Sequence, residues 1–134
     1  MSRGGVTRSS KFVKYLPAFQ WYPQVVTPEV ADYGPRDVFL MQDVEKASVV
    51  RTKAHIFPLW LTRNRYARGV LSRLLVPDIE IEWLLWLRRR TDAILAQEKV
   101  DVVYTSCSPF SLNLEGASLK RLYGIPWVTD FRDP

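Results

Sequence analysis

The stretch "WVTDFRDP" (127–134) carries Asp130, Arg132 and Asp133, the densest polar group at any expected strand end. A carboxylate there can accept a proton or hold a sugar hydroxyl, and an arginine can clamp a phosphate or pair with either aspartate. Oxygen ligands suit magnesium, but two aspartates with an intervening arginine make a thin site, and no metal is expected. A purely structural Arg–Asp bridge accounts for the same residues.

A second group is "TSCSPF", which puts Ser106, Cys107 and Ser108 between an expected strand and an expected helix. Open α/β proteins bind ligands at the carboxyl ends of their strands, so Ser106 and Ser108 are candidates to hydrogen-bond a hydroxyl or phosphate. Alternatively Ser108 simply caps the helix, with Pro109 at its first position. Cys107 as a nucleophile would need His55, the only histidine, and nothing in the sequence places it nearby. One Cys and one His exclude a zinc site.

The third group is Arg3-Gly4-Gly5 at the mouth of a helix. Glycine lacks a Cβ, so its amide can approach a phosphate closely, or the pair is only a pliant terminus. In a mononucleotide-binding unit such a turn follows the first strand, and here only Met1 and Ser2 precede it. That strand is therefore expected to be missing.

The elements that must position these groups follow from periodicity. Val6, Ser9, Phe12, Val13 and Leu16 predict a helix over about residues 5 to 16, stopped by Pro17. Val25, Val26 and Thr27 lie between two prolines and predict a short strand, and residues 47–52 ("ASVVRT") predict another. From Trp60 to Leu75 the chain is basic and amphipathic, with Ala67, Val70, Leu71, Leu74 and Leu75 on one face and Arg65, Arg68, Ser72 and Arg73 opposite. Such a helix covers its own sheet or lies on an anionic membrane, with Trp60 and Tyr66 at the interface. A longer helix over about 79 to 98 should bury Leu84, Leu87, Ile94 and Leu95, leaving Arg88, Arg89 and Arg90 on a solvated face. "VDVVYTS" reads as a strand covered on both sides, Gly124 as a helix stop, and "IPWVTDF" as a further buried strand.

Strands and helices thus alternate in the βαβ manner, predicting an α/β fold with a partial parallel sheet and helices on both faces. With 134 residues, 47% hydrophobic and 25% charged, the chain suits one modest domain over 1–134 rather than a disordered segment. Its longest apolar run, Trp83 to Leu87, is far short of the roughly 20 residues a bilayer span needs. A single cysteine and the lack of a secretory leader make a cytoplasmic setting the expectation. The net charge of +5 favours an anionic partner. Nucleic acid is disfavoured, because the arginines are scattered and no stacking motif accompanies them.

Taken in order, "RGGVTRSSKFVKYLPAFQWYPQVVTP", "VVRTKAHIFPLW", "VPDIEIEW", "VDVVYTSCSPFS" and "LKRLYGIPWVTDFRDP" resemble one pattern over essentially the whole chain. It is that of the N-terminal domain of GT-B, family-four-like retaining glycosyltransferases, in the subset carrying a "DFRDPW" signature. The resemblance implies a Rossmann-like, acceptor-side domain of a transferase that moves sugar from a nucleotide-sugar donor to a polysaccharide or lipid-linked acceptor. It implies no metal or other cofactor, and a donor-side C-terminal domain absent from this sequence. By the same resemblance Gly4 and Gly5 match the donor-phosphate loop. Asp130 matches a catalytic position, and Arg132, Asp133, Ser106 and Ser108 match cleft-lining ones. The signature's tryptophan and the first strand are missing, so the chain is expected to be a fragment, inactive and marginally stable alone. A nucleotide-sugar epimerase fragment of the same fold, or a non-enzymatic basic module binding anionic lipid or a partner protein, are the alternatives.

Overall fold

The computed structural model describes residues 3–29, 44, 47–53, 64–107 and 109–131. Two compact units divide the chain, Met1–Thr52 and Lys53–Pro134.

In the first unit, helix α1 (Arg3–Tyr15) ends with Lys14 in its last turn, where a cation complements the partial negative charge of the carbonyl end. It runs on into a 3-10 turn, Leu16–Phe19, closed by Gln20 in the left-handed region (φ 64°). The Gln20 amide donates to Pro17 O at 3.1 Å, and the Trp21 amide donates to Leu16 O at 3.2 Å. Strands β1 (Gln24–Pro28) and β2 (Ser48–Thr52) pair in parallel, Val25 opposite Val49 and Val26 opposite Val50. Both lie where the β-branched runs predict them.

The second unit begins with α2 (Arg65–Leu74), whose N-cap Asn64 accepts the amides of Tyr66 and Ala67 at 3.0 and 3.2 Å. A 3-10 turn, Ile79–Trp83, leads into α3 (Leu84–Leu95), so the helix expected over 79–98 is shorter and begins as a tighter turn. Its burial also differs from expectation. Leu87 is buried, but Leu84, Ile94 and Leu95 are only half-buried, and Trp83 joins the core instead. Arg88 is not simply solvated, since it pairs with Glu115; Arg89 and Arg90 are exposed.

Strand β3 (Val103–Cys107), helix α4 (Leu112–Tyr123) and strand β4 (Trp127–Phe131) form the βαβ unit, the strands parallel with Thr105 opposite Thr129 and Ser106 opposite Asp130. Gly124, at φ 69°, ends α4 by donating its amide to Lys120 O at 3.0 Å. A Cβ would be strained there, which is why glycine stops the helix as predicted.

The start of α4 corrects a second expectation. The α-helix begins at Leu112 with Ser111 in the N-cap position, preceded by a tight turn in which the Leu112 amide donates to Pro109 O at 3.4 Å. The cap is supplied from far away in sequence, because Asp78 Oδ2 accepts the Ser111 amide at 2.9 Å. Ser108 lies outside the described residues.

Fold class is therefore mixed α/β, with two short parallel sheets of two strands each among the described residues. In the βαβ unit α4 covers one face of the sheet and Tyr104 and Val128 stand 42% and 52% exposed on the other, so "VDVVYTS" is not a strand buried on both sides. Among the described residues the apolar core consists of Trp83, Leu87, Cys107, Leu119 and Ile125.

Candidate functional site

Alternation along β3 and β4 sorts their side chains into two sets. Thr105, Cys107, Trp127 and Thr129 face α4, while Tyr104, Ser106, Val128 and Asp130 stand on the opposite face.

The covered face is locked by polar contacts that sequence reasoning missed. Asn113 Oδ1, in the first turn of α4, accepts the Thr129 hydroxyl at 2.7 Å, the Cys107 thiol at 3.1 Å and the Thr105 hydroxyl at 3.2 Å. Trp127 Nε1 donates to Thr105 Oγ1 at 2.9 Å. The indole lies directly against Gly116, where a Cβ would overlap the ring, so glycine is what lets helix and strand approach. The signal available in the sequence was one threonine in the middle of the covered face of each strand, Thr105 and Thr129, with an asparagine near the start of the helix between them.

Cys107 belongs to this lock and is only 2% exposed. A buried thiol hydrogen-bonded to an amide oxygen is poorly placed for nucleophilic chemistry. His55, the base that such chemistry would need, lies outside the described residues.

Below α4 a second polar cluster ties it to α3. Arg88 donates to Ser118 Oγ at 2.8 Å, pairs with Asp92 at 3.2 Å and approaches Glu115 Oε2 at 3.5 Å. The Thr91 hydroxyl donates to Glu115 Oε1 at 2.7 Å, and the Tyr123 hydroxyl donates to Asp92 Oδ1 at 3.0 Å. Partial desolvation works to lower the Arg88 pKa, but the carboxylates of Glu115 and Asp92 outweigh it and hold it above its ordinary value.

With both strands held in register, the open face brings three functional groups together. Tyr104 Oη donates to Asp130 Oδ2 at 3.0 Å, and Ser106 Oγ lies 3.5 Å from the same oxygen. The carboxylate is thus oriented by a phenol and a hydroxyl from the adjacent strand, an arrangement suited to binding or deprotonating a substrate hydroxyl. The expected neighbourhood of Ser106 and Asp130 is present. Asp130 sits within β4, inside the stretch "IPWVTDF" expected to be a strand, and Tyr104 is an addition that alternation could have found.

Arg132, Asp133 and Ser108 lie outside the described residues, as does Trp60. Gly4 and Gly5 fall in the first turn of α1, where backbone amides lack intrahelical acceptors. Among the described residues no cluster of three or more His, Cys, Asp or Glu could hold a metal, and no helix is long and apolar enough to cross a membrane. No family, curated protein or solved structure matches the chain.

Proposed function

We propose that the chain is the acceptor-side, Rossmann-like domain of a retaining sugar transferase, with Asp130 as the group that engages the acceptor hydroxyl. The observation that supports this reading is the convergence of Tyr104 and Ser106 on one oxygen of Asp130, on the open face of two parallel strands. The Tyr104 hydrogen bond, with Ser106 at the outer limit of hydrogen-bond distance, orients the carboxylate, which favours a directed contact with one hydroxyl of a sugar over a loose ionic one. The likeness of "VDVVYTSCSPFS" and "GIPWVTDFRDP" to the glycosyltransferase pattern supplies the substrate class. In this reading the amides of Gly4 and Gly5 meet the donor phosphates, and a donor-side domain holds the nucleotide.

The test is transfer of labelled sugar from a panel of nucleotide-sugars to polysaccharide and lipid-linked acceptors by the full-length gene product. Label recovered in acceptor supports the proposal. Label recovered only as an epimerised donor, or no turnover with any donor, overturns it.

A further inference from the structure

We propose that helix α2 docks this protein on an anionic membrane surface. The helix has more apolar surface than its own unit covers. Stepping about 100° per residue, Ala67 and Leu71 make one stripe and Tyr66, Val70 and Leu74 the adjoining one. The first is half-buried, α2 resting against the Ile79–Trp83 turn. The second is open to solvent, with Tyr66 77%, Val70 56% and Leu74 72% exposed, and Val76 just beyond the helix is 72% exposed.

A ten-residue helix with half its apolar face in water has little packing to hold it, and a surface that covered the open stripe would stabilise it. Asn64 satisfies two of the first amides, and Arg73 in the last turn complements the carbonyl end.

Charge selects the occupant. Exposed Arg65 and Arg73 flank the stripe without interrupting it, and the Arg65 guanidinium lies 5.4 Å from the Tyr66 ring centre. In an interfacial helix the aliphatic side chains reach the acyl boundary, the tyrosine sits at headgroup depth and the flanking arginines extend to lipid phosphates. The net charge of +5 adds long-range attraction to an anionic surface. A second copy of the chain seated on the same stripe would instead bring the two arginine rows together. This inference does not rest on the transferase reading.

The test is sedimentation of the full chain with vesicles of phosphatidylcholine alone or mixed with phosphatidylglycerol. Salt is set at about 0.1 M and about 1 M, between which the screening length falls from about 10 to about 3 Å. Binding is expected to the mixed vesicles only, and to be lost at high salt. Arg65→Gln with Arg73→Gln should weaken it about 25-fold, about fivefold for each arginine near an anionic surface. Val70→Ser with Leu74→Ser should abolish binding while leaving the circular dichroism spectrum unchanged. Equal binding to neutral vesicles, salt-insensitive binding, no binding, or arginine variants that bind like the parent would each overturn the proposal. So would a dimer in vesicle-free solution that the Val70/Leu74 variant dissociates. None of these readouts involves sugar transfer, so this proposal and the transferase reading can fail separately.

Discussion

Tyr104 donates its phenol hydrogen to Asp130 Oδ2 at 3.0 Å, diagonally across two parallel strands in which Ser106 is the residue directly opposite Asp130. The carboxylate is therefore held from two positions on one neighbouring strand, and its role can be separated from theirs. In the full-length gene product Asp130→Ala should lower turnover by about 10² if the carboxylate acts as a base, with donor affinity unchanged. Tyr104→Phe should raise the acceptor KM more than it lowers kcat. Unchanged turnover in Asp130→Ala removes that residue from the site.

Gly116 lies against the Trp127 indole, and a methyl group there has nowhere to go without moving the ring. Gly116→Ala is expected to destabilise the second unit by about 1–3 kcal/mol through overpacking and to break the bond from Trp127 Nε1 to Thr105. The urea midpoint followed by tryptophan fluorescence reads both effects. A midpoint at or above the parent's would show that the helix can retreat at no cost.

Glu115 is 7% exposed and relies on Arg88 and Thr91 for its neutralising contacts. Arg88→Met should destabilise by about 2 kcal/mol, the scale for stranding a buried charged acceptor. Adding Glu115→Gln should recover part of that loss, because the stranded charge is then gone. Hydrogen exchange along α3 and α4 measures both, and an uncorrelated pair of effects would dissolve the proposed bridge.

The Tyr123 phenol has a raised pKa, chiefly because it donates a hydrogen bond to Asp92, and the negative charges of Asp92 and Glu115 act in the same direction. A raised folded-state value means that its stabilisation is fully present below the unfolded value and is lost as pH rises through the folded one. Tyrosinate absorbance should accordingly contain a late-ionising contribution from Tyr123. Tyr123→Phe should reduce the late part of the titration by one tyrosine; a curve unchanged in its upper part would contradict the assignment.

Stability of the isolated chain should be marginal. Among the described residues the buried apolar side chains are few, while Phe19, Tyr22, Tyr66, Leu74 and Val76 are more than 70% exposed. A broad thermal transition with a midpoint below about 45 °C, the lower edge for ordinary mesophilic domains, is expected. A sharp cooperative transition of a monomer well above that would refute it.

What could be read from the sequence was local. Val25 to Thr27, the run ending at Cys107 and the Gly124 stop were visible because β-branching and glycine's left-handed freedom act on neighbouring residues alone. The juxtaposition of Ser106 with Asp130 followed from one further assumption, that successive strands of a βαβ unit pair in parallel. The rest depended on partners distant in the chain. Ser111 is placed at the helix start by a carboxylate 33 residues earlier, and Asn113 becomes a hub only once both strands are beneath it. Likewise periodicity marked Val70 and Leu74 as apolar-face residues but had no means of saying whether that face would be covered.

The bond from the Ser111 amide to Asp78 has a practical consequence for anyone transplanting this βαβ module. Excised at its apparent border, shortly before Val103, the module would leave its own helix cap behind on the donor protein. A graft cut upstream of residue 78 carries the cap with it, so the inheritable unit is longer than the strand–helix–strand motif that the eye picks out.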